Sequence, residues 1–98
     1  MRRQVRIRAV AQADIEEAAQ YYELQSSGLG QRFLDEVLSS LQSFESNPFR
    51  YPAVHDEIRR ALVHRFPFGV FYLVEPEEVV VIAVMHGTRD PSRWKKRI

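Results

Sequence analysis

Arginine dominates the side chains of this chain that could do chemistry. Arg59, Arg60 and Arg65 fall together in one stretch, and His86, Arg89 and Arg93 follow the longest apolar run. The chain then reads Arg93-Trp94-Lys95-Lys96-Arg97, a basic cluster interrupted by its single tryptophan. Guanidinium groups present planar forks of donors that match phosphates and carboxylates, so recognition of an anionic macromolecule is the chemistry this set suggests. His86 adds an imidazole, a side chain able to pass a proton or make a pH-sensitive contact. Two blander readings stand beside these. The arginines can simply solubilise the outer face of a one-sided sheet, and a histidine at a strand end is commonly a structural hydrogen-bonding group.

Other chemistries find little support. His55, His64 and His86 are scattered, cysteine is absent, and no ligand spacing for a metal occurs. The glycines Gly28, Gly30, Gly69 and Gly87 form no phosphate-cradling loop. The serines lie outside any nucleophile elbow. Neither a metal nor an organic cofactor is expected.

The elements that must position these residues follow from apolar spacing. Gln4 to Val10 alternates, as a half-buried strand does, with Val5, Ile7 and Ala9 on one side. A helix opens near Ala11, with Asp14, Glu16 and Glu17 expected in its first turns and Ile15, Ala18, Ala19 and Tyr22 as its apolar stripe. Gly28 is placed to supply a left-handed cap. A second helix over about 29–46 carries Phe33, Val37, Leu38, Leu41 and Phe44, and Asn47-Pro48 stops it. Residues 48–57 read as a loop. Three strands follow at 58–66, 70–75 and 79–85, the last apolar on both faces and therefore internal to the sheet. On this reading Arg59 and Arg65 share one strand face and Arg60 takes the other; an arginine aimed between helices and sheet would need a partner. The tail 86–98 is expected to stay free and polar. The fold class is α+β in the order β-α-α-β-β-β, a helical hairpin packed on a small, mainly antiparallel sheet in a single domain spanning 1–98.

Charge is segregated along the chain despite a net charge of +1. The first ten residues hold four arginines and no acid, 11–57 sum to −7, and 58–98 sum to +4. Such a chain can fold into a body with one acidic and one basic surface. No apolar run approaches a bilayer span and no signal-peptide pattern is present, so a cytoplasmic protein with no membrane partner is expected.

Taken together, Ala13-Asp14-Ile15, Tyr21-Tyr22, Asn47-Pro48, Ile58-Arg59-Arg60, Arg65-Phe66-Pro67-Phe68, Phe71-Tyr72 and the run from Val81 to Trp94 with its His-x-x-Arg-Asp-Pro segment resemble the RelE/ParE superfamily of toxins, also known as plasmid stabilisation proteins. The resemblance covers nearly the whole chain and implies the same order of elements. It also implies a bacterial type II toxin–antitoxin pair, in which a cognate antitoxin covers the toxin's active surface. The His-x-x-Arg-Asp tail is closer to the ParE branch, which implies inhibition of DNA gyrase by binding. The RelE branch implies a ribosome-dependent endoribonuclease acting on mRNA, for which Arg65, His86 and Arg89 would be the catalytic candidates. Against that branch, Lys95 and Lys96 are the only lysines and no tyrosine follows Tyr72. A third reading is a superfamily member that has lost its toxicity. Arg59, Arg60, Arg65, His86, Arg89, Arg93, Trp94, Lys95, Lys96 and Arg97 are the expected target- or partner-binding residues. Oligomeric state is left open.

Overall fold

A computed structural model describes residues 2–98. The chain runs β1 (Gln4–Ile7), α1 (Ala9–Gln25), α2 (Leu29–Ser46), β2 (Ala53–His55), β3 (Ile58–Leu62), β4 (Phe68–Val74), β5 (Glu78–His86) and α3 (Ser92–Lys95). The strands form one sheet in the order β1-β5-β4-β3-β2. β1 lies parallel to β5, and every other neighbouring pair is antiparallel. The expected helical hairpin on a mainly antiparallel sheet is the observed architecture.

Both sheet faces are covered, each by a different device. On one, Ala11, Ile15 and Ala18 of α1 and Phe33, Val37 and Phe44 of α2 bury against Ala61, Val70, Tyr72, Val79, Val81 and Val84. On the other, Ile58, Phe71, Val80, Ile82, Ala83 and Met85 pack beneath Trp94. β5 serves both cores because its successive side chains take opposite faces, and that alternation changes phase once: Tyr72 pairs with Val81 and Phe71 with Ala83, leaving Ile82 as an extra residue. That bulge puts Ile82 and Ala83 on the same side of the strand.

The hairpin is held tightly at its turn. Gly28 takes a left-handed φ of 89°, three residues beyond the end of α1 at the entry to α2. The Glu23 carboxylate accepts from the Gly28 and Gly30 amides at 2.9 and 3.0 Å, satisfying donors that the start of α2 would otherwise leave open. Gly30 lets the helices touch, since a Cβ there would meet the Ala19 carbonyl oxygen at 2.5 Å.

Several sequence expectations need correction. β1 stops at Ile7, and Ala9 and Val10 already belong to α1, so no acid occupies that helix's first turn. Leu38 is exposed rather than part of the core stripe. The supposed loop 48–57 contains β2, too short for alternation to register. β3 ends at Leu62, before Arg65, which sits in the following turn at a left-handed φ of 68°. The tail folds into α3 and contributes Trp94, only 6% exposed, to the core.

Candidate functional site

The last residues of β5 and the tail form one wall of a groove whose other wall is α1. Asp14, Glu17, Ala18 and Tyr21 project from α1 at spacings of three and four, which place them on one helix face. Opposite stand Val84, Met85 and His86 from β5, Thr88 and Arg89 from the turn, and Arg93 and Arg97 from and beyond α3, with Phe68 alongside. The groove holds about 520 Å³.

Each tail residue is placed by a local contact. The His86 Nδ1 accepts the Thr88 amide at 3.1 Å and lies 2.8 Å from the Thr88 hydroxyl. The Asp90 carboxylate accepts the Ser92 amide at 3.0 Å, which holds that carboxyl below its usual range and starts α3. Trp94 then fastens α3 to the sheet, its ring stacked on Phe71 at 4.5 Å and 20°. With Trp94 pointing into the core, Arg93 and Arg97 are turned to the groove.

Arg97 is not a free cation. Its Nη1 donates to Asp14 Oδ2 at 2.6 Å and to the Ile82 carbonyl at 3.1 Å, while Nη2 reaches Asp14 Oδ1 at 3.3 Å. Asp14 in turn accepts the Val84 amide at 3.0 Å, and Arg8 donates to the Arg97 carbonyl. Of the expected target- or partner-binding residues, Trp94 is thus buried in the core, and Arg97 is engaged by Asp14 while still lining the groove. Arg89 and Arg93 are exposed and form no ion pair among the described residues. They are the groove's available charges, with Glu17 facing them from α1.

The remaining expected site residues lie elsewhere. Arg59 points to the helix side and has the partner that direction requires, donating to the Tyr51 carbonyl at 2.6 Å. Arg60 lies on the opposite face with its stem against Gly69, where a Cβ would meet its Cδ at 2.9 Å. Arg65 is exposed in the β3–β4 turn and does not line the groove. Lys95 and Lys96 are exposed on α3 and at its end, also outside the groove. The Arg-Phe-Pro-Phe motif serves packing: Phe66 and Phe68 join Tyr22 and Phe33 in a cluster with ring centres 4.9 to 6.0 Å apart. No group of histidine and acidic side chains among the described residues is placed to hold a metal.

The family model for the ParE toxin of type II toxin–antitoxin systems, parDE, matches residues 5–91. The chain belongs to that family. The matched part of this ParE-family toxin stops at Pro91, so α3, with Trp94 and Arg97, lies beyond it. Solved structures agree on the toxin's fold. A chain of the chromosomal ParDE system from P. aeruginosa superposes with a TM-score of 0.74 at 13% identity, covering 86% of this chain and 95% of that one. A chain of the RelBE2 toxin–antitoxin complex from Mycobacterium tuberculosis gives 0.65 at 18% identity, covering 88% and 99%. No curated protein matches the toxin in sequence.

Proposed function

We propose that this toxin acts by binding, inhibiting DNA gyrase through the groove between α1 and the tail, and that a cognate antitoxin neutralises it by covering the same groove. The observation that carries the choice of binding over cleavage is the engagement of His86. A backbone amide can only donate, so Nδ1 must accept from Thr88, which leaves the imidazole proton on Nε2. The lone pair that a general base would use is occupied, and no lysine lines the groove. Arg65, the third residue a nuclease reading would recruit, lies outside it. What the groove offers is two exposed guanidinium groups opposite a carboxylate and Tyr21, suited to a partner surface of mixed charge.

An antitoxin segment with an acidic, amphipathic character would meet Arg89 and Arg93 on one wall and the exposed Tyr21 ring on the other. The test uses purified toxin in two assays run side by side, DNA supercoiling by gyrase and cleavage of ribosome-bound mRNA. Loss of supercoiling, relieved by Arg89→Ala with Arg93→Ala, is expected, and mRNA stays intact. Fresh cuts in the mRNA with normal supercoiling would establish the endoribonuclease instead; no effect in either assay would mean the toxin's activity has been lost.

A further inference from the structure

The groove makes no use of the arginine-rich start of the chain. Arg6 is answered by Glu78, at 3.0 and 3.1 Å, and Arg8 by the Arg97 carbonyl. Arg3 goes elsewhere. Its amide donates to the Glu45 carbonyl at 3.1 Å and its Nε to the Glu75 carbonyl at 2.9 Å, at the end of the sheet away from the groove. This holds its guanidinium carbon 5.2 Å from the centre of the Phe49 ring. Arg59 approaches the same ring at 5.1 Å, fixed by its bond to the Tyr51 carbonyl. Arg50, exposed, lies over Tyr51 at 5.5 Å.

Phe49 itself is 54% exposed. Among the described residues none of these three arginines forms an ion pair. The arrangement is costly to leave unanswered, because two cations beside one ring repel each other and only the ring and backbone carbonyls offset them. Arg3 and Arg59 spend few of their donors on those carbonyls, so each keeps N–H groups for an anion.

We propose that Phe49, with Arg3, Arg50 and Arg59 around it, is a binding platform for single-stranded nucleic acid. Phosphates would take the free guanidinium donors, while unstacked bases would lie on the outward guanidinium planes of Arg3 and Arg59 and on the part of the Phe49 ring that they leave open. A duplex hides its base faces and could use only the charges. An acidic peptide would likewise engage the cations and find no planar use for the ring. At the Arg3 end the backbone carbonyls of Glu45 and Glu75 already take Arg3 donors, so the strand would run from Phe49 toward Arg50 and Arg59 rather than toward β1. The site is independent of the groove and of the reading of gyrase as target.

The test is fluorescence anisotropy of a labelled oligothymidylate of about 15 nucleotides, within the site sizes common for such surfaces, with the full chain. Phe49→Ala should weaken binding about tenfold, with Phe49→Leu doing the same if Ala perturbs folding, and Phe49→Tyr should retain it. Arg50→Ala should lower the slope of log affinity against log salt by about 0.7, the share of one phosphate contact on a single strand. Arg89→Ala with Arg93→Ala should leave binding unchanged. Equal affinity of wild type and both Phe49 variants would overturn the proposal, as would displacement of the oligonucleotide by polyglutamate with no dependence on Phe49, since either result means charge alone is read.

Discussion

Arg97 grips both oxygens of Asp14 from 83 residues away in sequence, and together they close the open edge of β5. Pairing with β1 ends at Ile7 and Val81, where the bulge begins. Beyond that point the Ile82 carbonyl and Val84 amide face the side that β1 no longer covers, and Arg97 and Asp14 take them. Their side chains are 23% and 17% exposed, so each is shielded enough for the loss of its partner to matter. Asp14→Ala and Arg97→Ala are each expected to cost about 1–3 kcal/mol in urea unfolding. The double variant should cost clearly less than the two singles together, with a coupling of at least about 0.5 kcal/mol. Simple additivity would show that the pair is not one unit.

Trp94 anchors α3 on the face opposite the helical hairpin. A Trp94→Ala variant should lose about 3–5 kcal/mol, because it uncovers Phe71 and empties the core on that side. Cutting the chain before α3 should be at least as damaging, which makes tail truncation a poor probe of toxicity. Thermal unfolding of the two variants checks this directly.

The architecture was readable from sequence wherever one periodicity held over a full element. Phe33, Val37 and Phe44 marked α2, and the unbroken run Val79–Met85 marked a strand buried on both sides. The parts that were not readable depend on contacts between distant segments. Nothing local in Arg93-Trp94-Lys95-Lys96-Arg97 separates an indole that packs on Phe71 from one that waits for a partner. Likewise Asp14 looked like a residue of a helix's first turn; its real partners lie seventy or more residues away. The α1 wall of the groove was missed for a related reason. Asp14, Glu17 and Tyr21 share a helix face, but only the returning tail turns that face into a site.

Tyr72 supplies a pH-dependent prediction. It is fully buried, stacks on Phe44 at 4.0 Å, and donates to the Pro48 carbonyl at 2.6 Å. Burial pushes its phenol up to about 12, from an ordinary value near 10. The folded state therefore keeps a proton that the unfolded chain releases first. Its contribution is complete below pH 10 and is lost as pH climbs from about 10 to about 12, by roughly 2–3 kcal/mol. Tyr72→Phe should remove that alkaline slope, and should cost about 1–3 kcal/mol at neutral pH by orphaning the Pro48 carbonyl. Denaturation midpoints across the alkaline range decide it.

Gly30→Ala should be destabilising despite replacing a helical glycine, a change worth close to 1 kcal/mol in favour at an unhindered site. The added methyl would sit 2.5 Å from the Ala19 carbonyl oxygen, and a backbone atom cannot swing away. The hairpin must open, with a net loss of about 1–3 kcal/mol expected in equilibrium unfolding.

Arg65 and the pair Arg89 and Arg93 should separate stability from function. Arg65 holds a left-handed φ of 68°, which costs a residue with a Cβ roughly 1–2 kcal/mol that glycine escapes. Glycine also adds freedom to the unfolded chain, so Arg65→Gly should leave stability equal or higher by up to about 1 kcal/mol. Since Arg65 stands outside the groove, gyrase inhibition should persist in that variant. Arg89→Ala with Arg93→Ala should do the reverse. Both side chains are exposed and unpaired among the described residues, so unfolding should barely shift while inhibition falls and its salt dependence flattens. Inhibition that vanishes with Arg65 and survives without Arg89 and Arg93 would move the toxic surface from the groove to the β3–β4 turn.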